Sequence, residues 1–268
     1  MARNTTLVPR EEERIKQLLR HYGIRPSRRR SQNFMISDHY LSKIAGLARG
    51  AEAILEIGTG LGSLTDKLIK VTDKVITCDV DPRIAAIYPD ISKSWTNADF
   101  IMCDGGLPPI RSIDYIVSNL PYGESSRLIL GLLIGLKFNK AILTLQKEVA
   151  ERLIAAPGSE NYGRLSIIVQ CLADAKLIEE VPPNAFFPRP KVYSAIIQLS
   201  KKPPCTDASL LEKFTAKVFT QPNKMLRKVI NQFYGEEAAS LININKRVYQ
   251  LSPMDAASII NMLRPYIK

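Results

Sequence analysis

Between residues 53 and 145 the chain alternates short, mainly apolar runs with stretches whose apolar residues recur at helical spacing. Ala53-Ile54-Leu55-Glu56-Ile57 predicts a buried strand, followed by glycines and an amphipathic stretch to Lys70. Val75-Ile76-Thr77-Cys78 predicts the next strand, ending at Asp79, and Phe100-Ile101-Met102-Cys103 another, ending at Asp104. Residues 113–118 form a fourth run that ends at Asn119, and 141–145 a fifth that follows a long apolar helix over 125–136. Strands without polar alternation are buried on both faces, as in a parallel sheet covered by helices. The repeat therefore predicts a doubly wound α/β fold. Two later runs, 175–181 and 192–199, flank a Pro-rich connection and predict a closing antiparallel pair.

Beyond a Lys201-Lys202-Pro203-Pro204 linker the strand patterns stop. Leu210, Leu211, Phe214, Val218 and Phe219 recur at helical spacing, as do Met225, Leu226, Val229, Ile230 and Phe233. Ile259, Ile260, Met262 and Leu263 continue the pattern, so the tail predicts a small helical domain. At the front, Pro9 and Glu11-Glu12-Glu13 make a helix start and Gly23 a stop. The division is then an arm with a helix (1–31), a sheet domain (32–201) and a helical domain (202–268).

Charge follows the same division. The 268 residues carry a formal net charge of +11. Residues 1–31 hold nine Lys/Arg against three acids, residues 32–201 eighteen of each, and residues 202–268 ten against five. Basic ends around a neutral middle fit a protein that grips a polyanion at its periphery. Solvated helix faces would give the same arithmetic. No apolar run reaches the roughly 18–20 residues that span a bilayer, and the polar first fourteen residues do not read as a signal peptide. Two histidines and four scattered cysteines (Cys78, Cys103, Cys171, Cys205), with no CxxC pair, exclude a zinc module. No metal is expected, and the four cysteines are expected to be reduced thiols of a cytoplasmic protein.

Ligands of open α/β sheets bind outside the carboxyl ends of the strands. Here those ends carry Gly58, Gly60 and Gly62, then Asp79, Asp104 and Asn119. The glycines read G-x-G-x-G, so the dinucleotide fingerprint is incomplete, but a glycine turn still admits a ligand close to the backbone. Asp79, about 20 residues on, is placed for ribose hydroxyls, and Asp104 can accept from an adenine amine. Each of these residues alone is equally at home as a structural turn or strand cap. Asn119-Leu120-Pro121-Tyr122 is sharper. An adenine amine is a poor nucleophile because its lone pair is delocalised. Two acceptors aimed at its hydrogens, the Asn119 side-chain oxygen and the Leu120 carbonyl, favour the pyramidal form. Pro121 fixes the turn without a competing N–H, and Tyr122 can stack on a flipped-out base. The plain alternative is an Asn-Pro turn after a strand.

Six blocks occur in order: Gln32-Asn33-Phe34, residues 56–65, Asn119-Leu120-Pro121-Tyr122, residues 146–152, residues 162–166 and residues 186–194. Together with the helical tail around residues 219–227, they resemble the rRNA adenine N6,N6-dimethyltransferase family. The resemblance implies a Rossmann-like class I methyltransferase sheet with a small C-terminal helical domain, and S-adenosyl-L-methionine as methyl donor. It implies that Gln32, Asn33 and Met35 meet the donor from the N-terminal side. Gly58 and Gly60 would line the turn beneath it and Glu56 would set its methionine end. Asp79 would hold its ribose and Asp104 its adenine. Asn119 would touch donor and target amine, while Tyr122 and Phe186 sandwich the target base. Arg189, Lys191 and the basic ends would hold RNA phosphates.

The implied activity is dimethylation of two adjacent adenines of small-subunit rRNA during ribosome biogenesis. Its partner would be small-subunit rRNA or an immature small ribosomal subunit, and the enzyme a monomer. Two readings stay open at this point: a large-subunit rRNA adenine methyltransferase and a non-catalytic RNA-binding assembly factor. The sequence departs from the family pattern at Ser31 for Gly, Met35 for Leu, Thr59 for Pro and Asp79 for Glu. Gly123-Glu124-Ser125 also stands where the family continues with a polar residue and Ile-Ser, placing an acid near the base pocket.

Overall fold

A computed structural model of the chain describes residues 11–27 and 32–267. The Arg28-Arg29-Arg30 run, Ser31 and the first ten residues, part of the expected basic arm, lie outside the described residues. Helix α1 (Glu11–His21) carries its three glutamates in the first turn, where they oppose the positive end of the helix dipole. It is followed by β1 (Phe34–Met35), α2 (Asp38–Leu47), β2 (Ala53–Ile57), α3 (Thr65–Leu68), β3 (Lys74–Asp79), α4 (Pro82–Ile91) and β4 (Ala98–Met102). The second half of the sheet comes from β5 (Tyr115–Asn119), α5 (Ser125–Gly135), β6 (Lys140–Gln146), α6 (Lys147–Ile154), α7 (Arg164–Leu172), β7 (Ala173–Val181), β8 (Phe186–Phe187) and β9 (Ser194–Lys201). Four helices follow: α8 (Ala208–Val218), α9 (Leu226–Tyr234), α10 (Glu236–Ser240) and α11 (Pro253–Leu263).

Seven strands form one sheet in the order β4-β3-β2-β5-β6-β9-β7. The first five are parallel, as their two-sided apolar runs require, and β9 inserts antiparallel between β6 and β7. The winding reverses between β2 and β5, so the crevice at their carboxyl ends is the topological switch point. There the backbones close up: a Cβ on Gly58 would stand 4.0 Å from the Asn119 carbonyl oxygen. A separate two-stranded ribbon pairs β1 with β8, setting Phe34 opposite Phe187 and Met35 opposite Phe186.

Some boundaries differ from the sequence expectation. Regular helix in α3 stops at Leu68, and the chain reaches Lys70 by further turns closed on Thr65 and Lys67. β4 ends at Met102, though Cys103 still donates its N–H to the Asp79 carbonyl. The expectation of four free thiols is corrected at one pair: Cys171 on α7 and Cys205, just before α8, form a disulfide. Sequence spacing hid this pair, 34 positions apart, because the tail folds back onto α7. Cys78 and Cys103 are free. The tail shares the core of the sheet: one cluster of buried side chains runs from Leu55, Ile116 and Leu143 through Leu165 and Ile168 to Phe214 and Leu263. Among the described residues, no helix is long and apolar enough to cross a membrane.

Candidate active site

At the switch point lies a cavity of about 840 Å³. Gln32, Asn33, Met35, Gly58, Gly60, Asp79, Asp104, Asn119, Leu120, Pro121 and Tyr122 all line it. One wall is the turn after β2. Gly58 and Gly60 have φ of 86° and 53°, a backbone that side-chain-bearing residues rarely adopt. The turn is pinned by N–H bonds from Gly58 and Thr59 to the Cys78 carbonyl at 2.7 and 3.1 Å. The Gly60 N–H donates to Asp79 Oδ2 at 3.0 Å, and the Asp81 N–H to Asp79 Oδ1 at 2.9 Å. Burial raises the Asp79 carboxyl above the usual range, opposed by those two N–H groups. The aspartate thus reaches the turn itself, despite being shorter than the glutamate of the family pattern.

Glu56 does not line the cavity. It is fully buried on β2 beneath the turn, where Thr65 and Thr77 donate to its Oε2 at 2.6 and 2.7 Å. Thr59 stands 2.6 Å from Thr77 and completes this hydroxyl chain, so the departure from proline at position 59 adds a donor to a buried polar network. Oε1 of Glu56 has no partner. Burial pushes the carboxyl up to about 8, and the two threonine bonds oppose that rise.

The opposite wall begins at Asn119. Its Nδ2 donates to the Asn33 carbonyl at 3.0 Å, which leaves Oδ1 as the acceptor the side chain offers. The Leu120 N–H is spent on the Thr144 carbonyl at 2.9 Å, fixing the peptide that follows Asn119. The Tyr122 hydroxyl meets the buried Ser194 hydroxyl at 2.5 Å. Burial keeps the phenol above its ordinary range, hence neutral.

Phe186 lies away from the cavity. It is 2% exposed, packed among core residues that include Met35, Leu41 and Ala185, and does not line the cavity. Its ring faces the core because its register partner on the ribbon is the buried Met35. The adjacent Phe187 is half-buried, with Lys16 Nζ of α1 5.2 Å from its ring centroid. Arg189 and Lys191 are exposed.

Sequence reasoning missed Asp81, Arg83 and Arg127, all on the cavity wall. Asp81 is buried, caps α4, and accepts from Gln32 Nε2 at 3.0 Å and Arg83 Nη2 at 2.6 Å. The signal available was its place before Pro82, a helix N-cap position. Among the described residues no cluster of His, Cys, Asp and Glu could hold a metal ion.

A turn built on Gly58 and Gly60 at a strand end, a carboxylate bonded into it and a buried carboxyl below it with one unpartnered oxygen fit a nucleoside-bearing donor. Beside it sits an amide-and-carbonyl pair for a planar amine. Fold and site together define a class I methyltransferase. The family model of ribosomal RNA adenine dimethylases matches residues 25–265, and the chain belongs to that family. It is an S-adenosylmethionine-dependent rRNA adenine methyltransferase.

The chain is 35% identical to a probable ribosomal RNA small subunit methyltransferase A of Thermococcus onnurineus, over 92% of this chain and 96% of that one. It is 38% identical to a protein of the same description from Pyrobaculum aerophilum, over 84% and 93%. Among solved structures, a dimethyladenosine transferase from Plasmodium falciparum superposes with a TM-score of 0.70 at 26% identity, covering 87% of this chain and 98% of that one. The 23S rRNA methyltransferase ErmE shares the fold, with a TM-score of 0.63 at 24% identity over 87% of this chain and all of that one.

Proposed function

We propose that this enzyme dimethylates N6 of two adjacent adenines in small-subunit rRNA during subunit assembly. The relatives described as small-subunit methyltransferases, matched over nearly their whole length, support the substrate. The observation that carries the chemistry is the bond from Asn119 Nδ2 to the Asn33 carbonyl. It orients the amide so that Oδ1, with the Leu120 carbonyl, accepts from the target amine.

S-adenosylmethionine, when bound, supplies an electrophilic methyl group on its sulfonium sulfur. Gly58 and Gly60 would let it lie against the backbone, Asp79 would accept from its ribose, and Asp104 from its adenine. Glu56 would set the methionine end from below. Asn119 and Leu120 then localise the lone pair of the target nitrogen. Tyr122, held by Ser194, offers a stacking face to a base lifted from its helix. The methylated amine is acidic enough to lose its proton to water, so no side chain need act as a general base. The exposed Arg189 and Lys191, with the basic arm and helical tail, would hold RNA phosphates.

The test is transfer of labelled methyl groups into undermethylated small subunits, followed by mapping of the modified positions by primer extension. Two adjacent small-subunit adenines are expected. A single large-subunit adenine would overturn the substrate, and donor binding without transfer to any rRNA would overturn the activity.

A further inference from the structure

Where the chain departs from its family after Tyr122, the structure places three charged side chains on one stretch of the cavity wall. The Arg127 guanidinium, on the first turn of α5, spans two carboxylates. Its Nη1 lies 2.9 Å from Asp104 Oδ2 and 3.1 Å from Oδ1, and its Nη2 lies 3.1 Å from Oδ1. Its Nε lies 2.7 Å from Glu124 Oε2. The Gly106 N–H also donates to Asp104 Oδ1, at 2.9 Å. Asp104 ends the β4 side of the cavity, and Glu124 ends the segment that begins at Asn119. One guanidinium therefore ties the wall assigned to the donor's adenine to the wall assigned to the target base.

The geometry points to Arg127 as a positioning residue for the methyl donor and a charge shield for the incoming RNA, a role that rests on the reading of Asp104 as the adenine contact. A carboxylate offers about four acceptor positions. The guanidinium fork and the Gly106 N–H take up three, chiefly on Oδ1, and fix the rotation of the group. Oδ2 keeps one open direction for the donor's amine. Without the fork, a half-exposed carboxylate rotates and is solvated in many orientations. The second effect is electrostatic. Glu124 adds a negative charge at a mouth that RNA must approach, and Arg127 cancels it. Without Arg127, two carboxylates would face the phosphates uncompensated.

Four variants separate the two effects when S-adenosylmethionine affinity is read by calorimetry and the Michaelis constant for undermethylated small subunits by methyl transfer. Arg127→Ala is expected to weaken donor binding about fivefold, in keeping with a half-exposed charge-assisted pair, and to raise the RNA constant. Arg127→Lys restores the charge but not the fork, so it recovers the RNA constant and only part of the donor affinity. Glu124→Gln in the Arg127→Ala background is expected to recover the RNA constant alone. Glu124→Gln by itself leaves donor affinity unchanged. Donor affinity within twofold of wild type in Arg127→Ala, with its melting temperature unchanged, overturns the positioning role. Equal donor affinities in Arg127→Lys and wild type would show a charge effect and overturn the fork. Wild-type protein that binds donor but modifies no rRNA would defeat the functional reading while leaving the donor-affinity arm intact.

Discussion

On the donor side of the cavity, Glu56, Thr59, Thr65 and Thr77 bond to partners no more than 21 positions away, and Asp79 reaches Gly60 across 19. On the target-base side, Asn119 bonds to Asn33 across 86 positions and Tyr122 to Ser194 across 72. The buried floor of the first half is the product of one βαβ unit and forms once β2 and β3 pair. The second waits for the N-terminal ribbon and the last strand of the sheet, so it carries the larger cost of loop closure. The acceptor pair is the functional core of the second half, and the orientation of its Asn119 amide rests on a distant contact. Single changes should therefore act on chemistry on the base side and on stability on the donor side.

The hardest test of that contrast is Asn119→Ala. It removes one of two acceptors aimed at the target amine, and single-turnover methyl transfer is expected to fall at least about a hundredfold, the scale of losing one preorganised polar contact at a reacting centre. RNA affinity should hold within a small factor. Near-normal turnover would break the acceptor mechanism.

On the donor side, Glu56→Gln probes stability. Below about pH 4.5, folded and unfolded wild type both hold the Glu56 proton. Between there and about 8 the unfolded chain ionises while the folded chain does not, so wild type loses stability as pH rises. The glutamine cannot ionise. The unfolding free energy of the variant relative to wild type should shift in the variant's favour across that window by several kcal/mol, read as a rise in its relative melting temperature. A difference independent of pH would show that Glu56 is ionised in the fold.

The smallest effect is expected of Tyr122→Phe, which keeps the stacking ring but removes the hydroxyl that meets Ser194. About 1 kcal/mol of positioning is at stake, read as a fewfold fall in methyl transfer at unchanged donor affinity. A fall as large as that of Asn119→Ala would mean the phenol itself acts on the base.

The same contrast sets what the sequence could reveal. The central parallel strands announced themselves because they are buried on both faces, and the donor residues because they sit at strand ends in chain order. Asn119 to Tyr122 was legible as a motif, but the orientation of its amide was not, since Asn33 gives it through a backbone carbonyl that has no sequence signature. The β1–β8 ribbon has two residues per strand, too short for any period to show. Its pairing, not local pattern, turns Phe186 into the core. Arg127 carries no sequence signal, and only the approach of Asp104, 23 positions away, gives it a place in the site. Cys171 and Cys205 are brought together only by the tail's return onto α7.

That return has a consequence for how such an enzyme can change. Because Phe214 and Leu263 belong to the same buried cluster as Leu143 and Leu55, a substitution on the inner row of the tail is felt by the strands that carry the chemistry. The outer shell of the tail, with Lys213, Lys217, Lys224, Arg227 and Lys228 exposed, is under no such constraint. Drift in what the protein grips is free to run through that shell, while the inner row stays bound to the volume of the catalytic floor. Recognition and reaction can then diverge at different rates in one folding unit.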